Sequence, residues 1–228
     1  MILNVVLKMI LRSWWRNKVF FLVSVASLAL GLACTNLLMT YFVHEHGLEG
    51  RNPDRDRMFF LRQDDPMTEG KRVAFAGAEI PPQLKQSYAE VEDFLRLGKL
   101  DLLYCKVNEQ KVEGDFKMLS ADTTLTNFFD YRTEEGSLSQ VLCQPGKVAL
   151  SEACARRLFG GKQAVGKQVE AHFRFGEVRT YEVAAVLKKR EQSLLQFDML
   201  IAHDPDFFWG GLTLLKLTPG TDAGHLAD

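Results

Sequence analysis

Val19-Phe-Phe-Leu-Val-Ser-Val-Ala-Ser-Leu-Ala-Leu-Gly-Leu-Ala-Cys-Thr-Asn-Leu-Leu-Met-Thr-Tyr-Phe-Val43 contains no charged residue in 25 positions. As a helix rising 1.5 Å per residue it is about 37 Å long, enough to cross a hydrocarbon core of roughly 30 Å with some tilt. Thirteen of its residues are Leu, Phe or Val. At central positions they favour insertion by at most about 4–8 kcal/mol, which Ser24, Ser27, Thr35, Asn36 and Thr40 reduce without reversing. A cleaved signal peptide asks for a shorter apolar run and a small-x-small site beyond it, and Tyr41-Phe42-Val43-His44-Glu45 supplies neither. The run therefore reads as a retained transmembrane helix over 19–43.

Ahead of it, Lys8, Arg12, Arg16 and Lys18 stand without an acidic residue in the first 18 positions. Basic residues before an apolar run hold that end in the cytoplasm, so the chain is expected to cross an inner membrane once, with the rest of it outside. Trp14 and Trp15 suit the inner headgroup belt, and with Arg12, Arg16 and Lys18 they form the expected inner-leaflet anchors. Residues 1–18 read as a cytoplasmic amphipathic segment lying on the membrane. Within the run, Ser27, Gly31 and Thr35 recur every four residues, the spacing of a membrane packing face that admits another helix closely.

Beyond the run, residues 44–57 read as a hinge that includes the turn-rich Asn52-Pro53-Asp54-Arg55-Asp56-Arg57, and 58–228 as the outer domain. The whole chain is 46% hydrophobic and 25% charged, with a net charge of −1. That composition is globular, and no basic stripe for nucleic acid is present. Strands are expected at Met58–Arg62, Arg72–Ala76, Val91–Leu97, Leu102–Val107 and Lys111–Met118, with helices at Pro81–Tyr88 and Thr123–Phe129. Val148–Leu150 leads into a helix capped by Ser151 and stopped by Gly160-Gly161. Val165–Phe175 and Glu177–Leu187 form a hairpin around Gly176, and Phe197–Ile201 and Leu212–Leu217 are the last strands. Helices and strands interleave without a regular βαβ period, which gives an α+β architecture. Cys105, Cys143 and Cys154 show no metal-ligand spacing and read as buried free thiols, with a Cys105–Cys143 disulfide as the alternative.

Each candidate chemistry has a structural counter-reading that fits better. Gly161-Lys162-Gln163-Ala164-Val165-Gly166-Lys167 copies the spacing of a phosphate-binding loop, but Gln168 replaces the hydroxyl residue, and the loop follows a helix instead of opening one. His44, Glu45, His46 and Glu49 read as the polar outer end of the membrane helix, and His172, His203 and His225 lack ligand spacing. Asp54/Asp56 and Asp204/Asp206 read as turn initiators. Ser151 lacks the surroundings of a nucleophile elbow and reads as a helix cap. Phe207-Phe208-Trp209 reads as core, with a partner-binding patch as the alternative. No catalytic, cofactor or metal residues are expected, and the chain is not expected to be an enzyme.

The order of these features resembles the permease subunits of MacB/FtsX-type ABC transporters, especially Bacteroidetes-like ones. Trp15-Arg16-Asn17-Lys18 is similar to the family's basic start, Ala29–Cys34 to its first-helix core, and Asn52–Met58 to its N-x-D-R-I-Y-R entry. Val148-Ala149-Leu150-Ser151-Glu152, with Ala155–Gly160 and Ala164–Lys167, resembles its "vLSe..A..lFG...aiGk" signature. Tyr181–Val186, Ser193 and Phe197-Asp198 resemble its ending, with Ala184 where the family tends to have Gly. The resemblance implies a mixed α/β, two-lobed periplasmic core domain that transmits motion to a substrate or partner. It also implies a separate cytoplasmic ATP-binding subunit, further permease helices and a periplasmic adaptor as partners; none of those further helices lies in these 228 residues. The alternative is a membrane-anchored periplasmic sensor or ligand-binding domain; a tethered enzyme would need titratable groups converging in one cleft.

Overall fold

The computed structural model describes residues 18–47, 52–64, 70–161, 163–174, 176–188, 193–204 and 210–226. They fall in two units, one ending at Leu48 and one beginning at Glu49. The first is helix α1, Lys18–Gly47. Among the described residues it is the one helix long and apolar enough to cross a membrane, and none of its apolar window is buried. Its polar groups are largely folded back on the helix: the hydroxyls of Ser24, Ser27 and Thr35 donate to the carbonyls of Phe20, Val23 and Gly31 at 2.8–2.9 Å. Such internal bonds lower the cost of placing a hydroxyl in lipid.

The second unit is built on one long strand. In chain order its elements are β1 (Met58–Phe60), β2 (Gln63–Asp64), β3 (Arg72–Val73), β4 (Ala76–Gly77), α2 (Ile80–Ser87), β5 (Val91–Val107), β6 (Gln110–Glu113) and β7 (Lys117–Ala121). There follow α3 (Leu125–Phe128), β8 (Thr133–Gly136), α4 (Leu138–Cys143), β9 (Lys147–Ser151) and α5 (Glu152–Phe159). The last are β10 (Gln168–Phe173), β11 (Val178–Leu187), β12 (Met199–Ala202) and β13 (Gly210–Leu217). The main sheet runs β1-β13-β5-β10-β11-β9-β12-β7, and β7 pairs back onto β5. Pairing thus closes a circuit through β5, β10, β11, β9, β12 and β7, while β13 and β1 extend from the first half of β5. This is the expected α+β architecture.

Alternation along the strands divides most of the apolar residues between two clusters, beside a third, smaller one of Val91, Leu215 and Leu217. Val148, Leu150, Met199 and Ile201 join Cys154, Leu158 and Phe159 of α5 in one. Ala149 and Leu200 join Leu125 and Phe128 of α3 and Leu138, Val141 and Leu142 of α4 in the other. A period of two sends successive side chains to opposite faces, and each face is covered by its own helices. β5 serves both clusters: Leu95 and Leu97 belong to the second, Leu100, Cys105 and Val107 to the first.

Five local readings need correction. Arg72–Ala76 is not one strand: β3 pairs with β2, and β4 pairs with β13. Val91–Leu97 and Leu102–Val107 are one strand, because Leu97–Asp101 pairs with β7. Lys111–Met118 is two strands, β6 and β7, parted at Gly114. That glycine has φ +154°, and a Cβ there would collide with the Arg157 guanidinium, which donates to the Glu113 carbonyl at 2.6 Å. β8 and α4 have no counterpart in the expected elements; β8 ends at Gly136 (φ +75°), whose Cβ would lie 2.0 Å from the Ala184 carbonyl oxygen. Finally, Cys105 and Cys154 are buried free thiols as expected, but Cys143 at the end of α4 is an exposed one.

Candidate coupling site

The chain enters the outer domain through a knot of charges. Asn52 opens it: its side-chain amide donates to the Phe128 carbonyl at the end of α3, and its Oδ1 accepts the Asp54 N–H at 3.0 Å. Residues Arg55–Arg57 then form one turn of 3₁₀ helix, with the Arg57 N–H bonded to the Asp54 carbonyl at 2.9 Å. This turn brings Asp54 and Arg57 into an ion pair and presents both to the last strand.

There they meet Lys216. It sits on β13 in the run Leu214-Leu215-Lys216-Leu217, and its side chain is only 8% exposed. A buried ammonium needs partners. Its Nζ bonds Asp54, lies 3.6 Å from Glu92 of β5, and donates to the Asn127 carbonyl at 3.4 Å. Arg57 pairs with Glu92 as well and donates to the Leu217 carbonyl at 2.8 Å. The bond from Lys216, then that from Arg57, holds the Asp54 carboxyl below the usual carboxylate range, and Arg57 is pushed up by its bonds to Asp54 and Glu92.

The network runs on into the domain. The Asn127 side-chain amide donates to Asp93 at 2.9 Å, and Lys85 of α2 pairs with the other oxygen of that carboxylate at 2.8 Å. Burial works against the Asp93 charge, but the bonds from Lys85, Asn127 and the Phe94 N–H prevail and hold its carboxyl low. Entry segment, β13, α3, β5 and α2 are therefore linked by one chain of polar contacts.

A family match assigns the unit. The MacB-like periplasmic core domain model matches residues 21–227, from inside α1 to the end of the outer domain. The chain belongs to the MacB-like periplasmic core domain family. Curated proteins yield no sequence match. Among solved structures, a domain assigned to a permease of Porphyromonas gingivalis superposes with TM-score 0.62 at 18% identity, covering 76% of this chain and 78% of that one. The periplasmic region of MacB from Actinobacillus actinomycetemcomitans gives 0.54 at 10% identity, covering 79% and 81%. The extracellular domain of the noncanonic ABC-type transporter YknZ from Gram-positive bacteria gives 0.53 at 15%, covering 72% and 83%. At these identities the likeness is one of fold. An apolar N-terminal helix joined to a MacB-like domain fits a membrane-anchored protein related to ABC transporter permeases.

In this MacB-like chain, Ser27, Gly31 and Thr35 lie on α1, and nothing stands within 4 Å of where a Gly31 Cβ would be. Lys18 opens α1, whereas Arg12, Trp14, Trp15 and Arg16 lie outside the described residues. So do Glu49, Asp206, Phe207, Phe208, Trp209 and the side chains of His44, Glu45 and His46. Ser151 is a helix cap, its Oγ accepting the Cys154 N–H at 3.2 Å. The phosphate-loop look-alike lies between a left-handed C-cap at Gly160 and the start of β10. His172 stacks on Tyr104 with ring centroids 4.2 Å apart and pairs with Glu170. His203 follows β12, its N–H bonded to the Ala121 carbonyl at 2.8 Å. Asp204 pairs with Arg179 at 2.8 Å.

The entry knot escaped sequence reading because Asp54 and Asp56 fit a turn equally well. The available signal was Lys216, a lone charge in an apolar strand, which calls for an acid nearby.

Proposed function

We propose that this chain is a non-catalytic permease segment of a MacB/FtsX-type ABC transporter. In this reading α1 crosses the bacterial inner membrane once, the N-terminus is cytoplasmic, and the outer domain lies in the periplasm, where it transmits motion to a substrate or partner. The observation that supports it is the extent of the family match, which begins inside α1 and continues to residue 227, so that helix and domain are one inherited unit.

Energy then comes from a separate cytoplasmic ATP-binding subunit, and the Ser27/Gly31/Thr35 face of α1 packs against further permease helices. Small residues at this spacing let backbones approach, and Thr35 and Ser27 keep their hydroxyls bonded to α1 itself. Arg12, Trp14, Trp15, Arg16 and Lys18 anchor the inner leaflet, and a periplasmic adaptor is the partner of the outer domain.

Affinity isolation of the full chain from its native membranes tests this. A photoreactive ATP analogue is expected to label a co-isolated ATP-binding subunit and to leave this chain unlabelled. Micromolar ATP affinity of the purified chain alone would overturn the proposal.

A further inference from the structure

β1 and β13 pair antiparallel, with Met58 opposite Lys216, Phe59 opposite Leu215 and Phe60 opposite Leu214. The chain therefore enters β1 and leaves β13 at the same end. Pulling those two ends apart does not shear the pair. It opens it as a zipper, one register pair at a time, beginning at Met58–Lys216. β1 has three residues, its described strand partner is β13 alone, and each ladder bond adds little net stability. Such an edge opens locally far more easily than the closed circuit behind it.

The charge knot lies at the mouth of this zipper. Asp54 to Lys216, Arg57 to the Leu217 carbonyl, and both cations to Glu92 all lie at or ahead of the first ladder pair. Glu92 matters most for direction, because it stands on the third strand, β5, and ties both sides of the fork to the centre of the sheet. Opening the fork would also strip the largely buried Lys216 ammonium of its partners, which is costly for a charge of that exposure.

We infer that Asp54, Arg57, Glu92 and Lys216 form a latch that keeps chain entry and chain exit joined under load and passes the load to β5. This rests on the reading of the domain as a transmitter of motion. The latch itself is tested without transport. In the full chain in detergent micelles, hydrogen exchange resolved to single amides is compared between wild type and R57M, K216M and E92Q.

The latch predicts that the Leu61 amide, which donates to the Thr213 carbonyl at 2.9 Å, and the β1 amides exchange at least tenfold faster in R57M and K216M, and a few-fold faster in E92Q. Amides of β9 and β12 are expected to be unchanged. If K216M does not fold, R57M and E92Q, whose altered side chains are more exposed, decide the matter. Unchanged exchange at 58–61, or an equal rise throughout the domain, would overturn the latch. Failure to co-isolate an ATP-binding subunit would instead remove the reading of transport and leave these exchange rates as they are.

Discussion

Arg96 and Asp122 face each other in a doubled contact, Nε 2.9 Å from Oδ2 and Nη2 2.7 Å from Oδ1. The Arg96 N–H also donates to Oδ2 at 2.8 Å, and Nη1 reaches the Ala78 carbonyl at 3.1 Å. With side chains only 19% and 10% exposed, the pair fastens β5 to the end of β7 and to the segment before α2. Two-pronged geometry of this kind is the strong form of an ion pair.

Removing one partner leaves the other charge buried and unmatched. R96M is expected to cost about 3 kcal/mol of stability, while R96M/D122L recovers a large part of it. Urea denaturation of the full chain in micelles, followed by circular dichroism, measures both.

The three cysteines of the outer domain should differ in reactivity. Burial pushes the Cys105 thiol up to about 12, and pushes Cys154 further still, whereas Cys143 is exposed. The thiolate is the reactive form, so maleimide at pH 7.5 should modify Cys143 within minutes and reach Cys105 and Cys154 only after denaturation. Peptide mapping by mass spectrometry gives the three extents.

Legibility in the sequence followed the range of the interactions. The α1 run, the Ser151 cap with its Gly160 stop, and the hairpin at Gly176 were readable because each is fixed by neighbours in the chain. Local pattern splits β5 into 91–97 and 102–107, and only pairing with β7 carries the strand through the residues between. α4 is short and apolar, and its helical form is favoured by packing of Leu138, Val141 and Leu142 against strands remote in sequence. The entry knot spans 162 positions between Asp54 and Lys216, a separation no local pattern encodes.

Stability should fall in two steps on acidification. His203 has its pKa lowered, first by burial and then by Arg96, against the opposing pull of Asp122 and Asp204. A base whose folded pKa lies below its unfolded value of about 6.5 binds its proton more readily when unfolded, so stability declines as pH falls below that value. Asp54, bonded by Lys216 and Arg57, and Asp93, bonded by Lys85 and Asn127 against the effect of burial, have lowered pKa values. Their contribution is fully present above the unfolded value of about 3.9 and is lost below it. Urea midpoints from pH 8 to 3 should show both steps, with H203Q removing the upper one.

Topology is the claim on which the functional account depends. Proteinase K added to intact spheroplasts should digest residues 58–226 and leave a membrane-embedded fragment that contains Val19–Val43. An outer domain that survives until the spheroplasts are lysed, or a mature chain from which the first forty-odd residues have been removed, would contradict it.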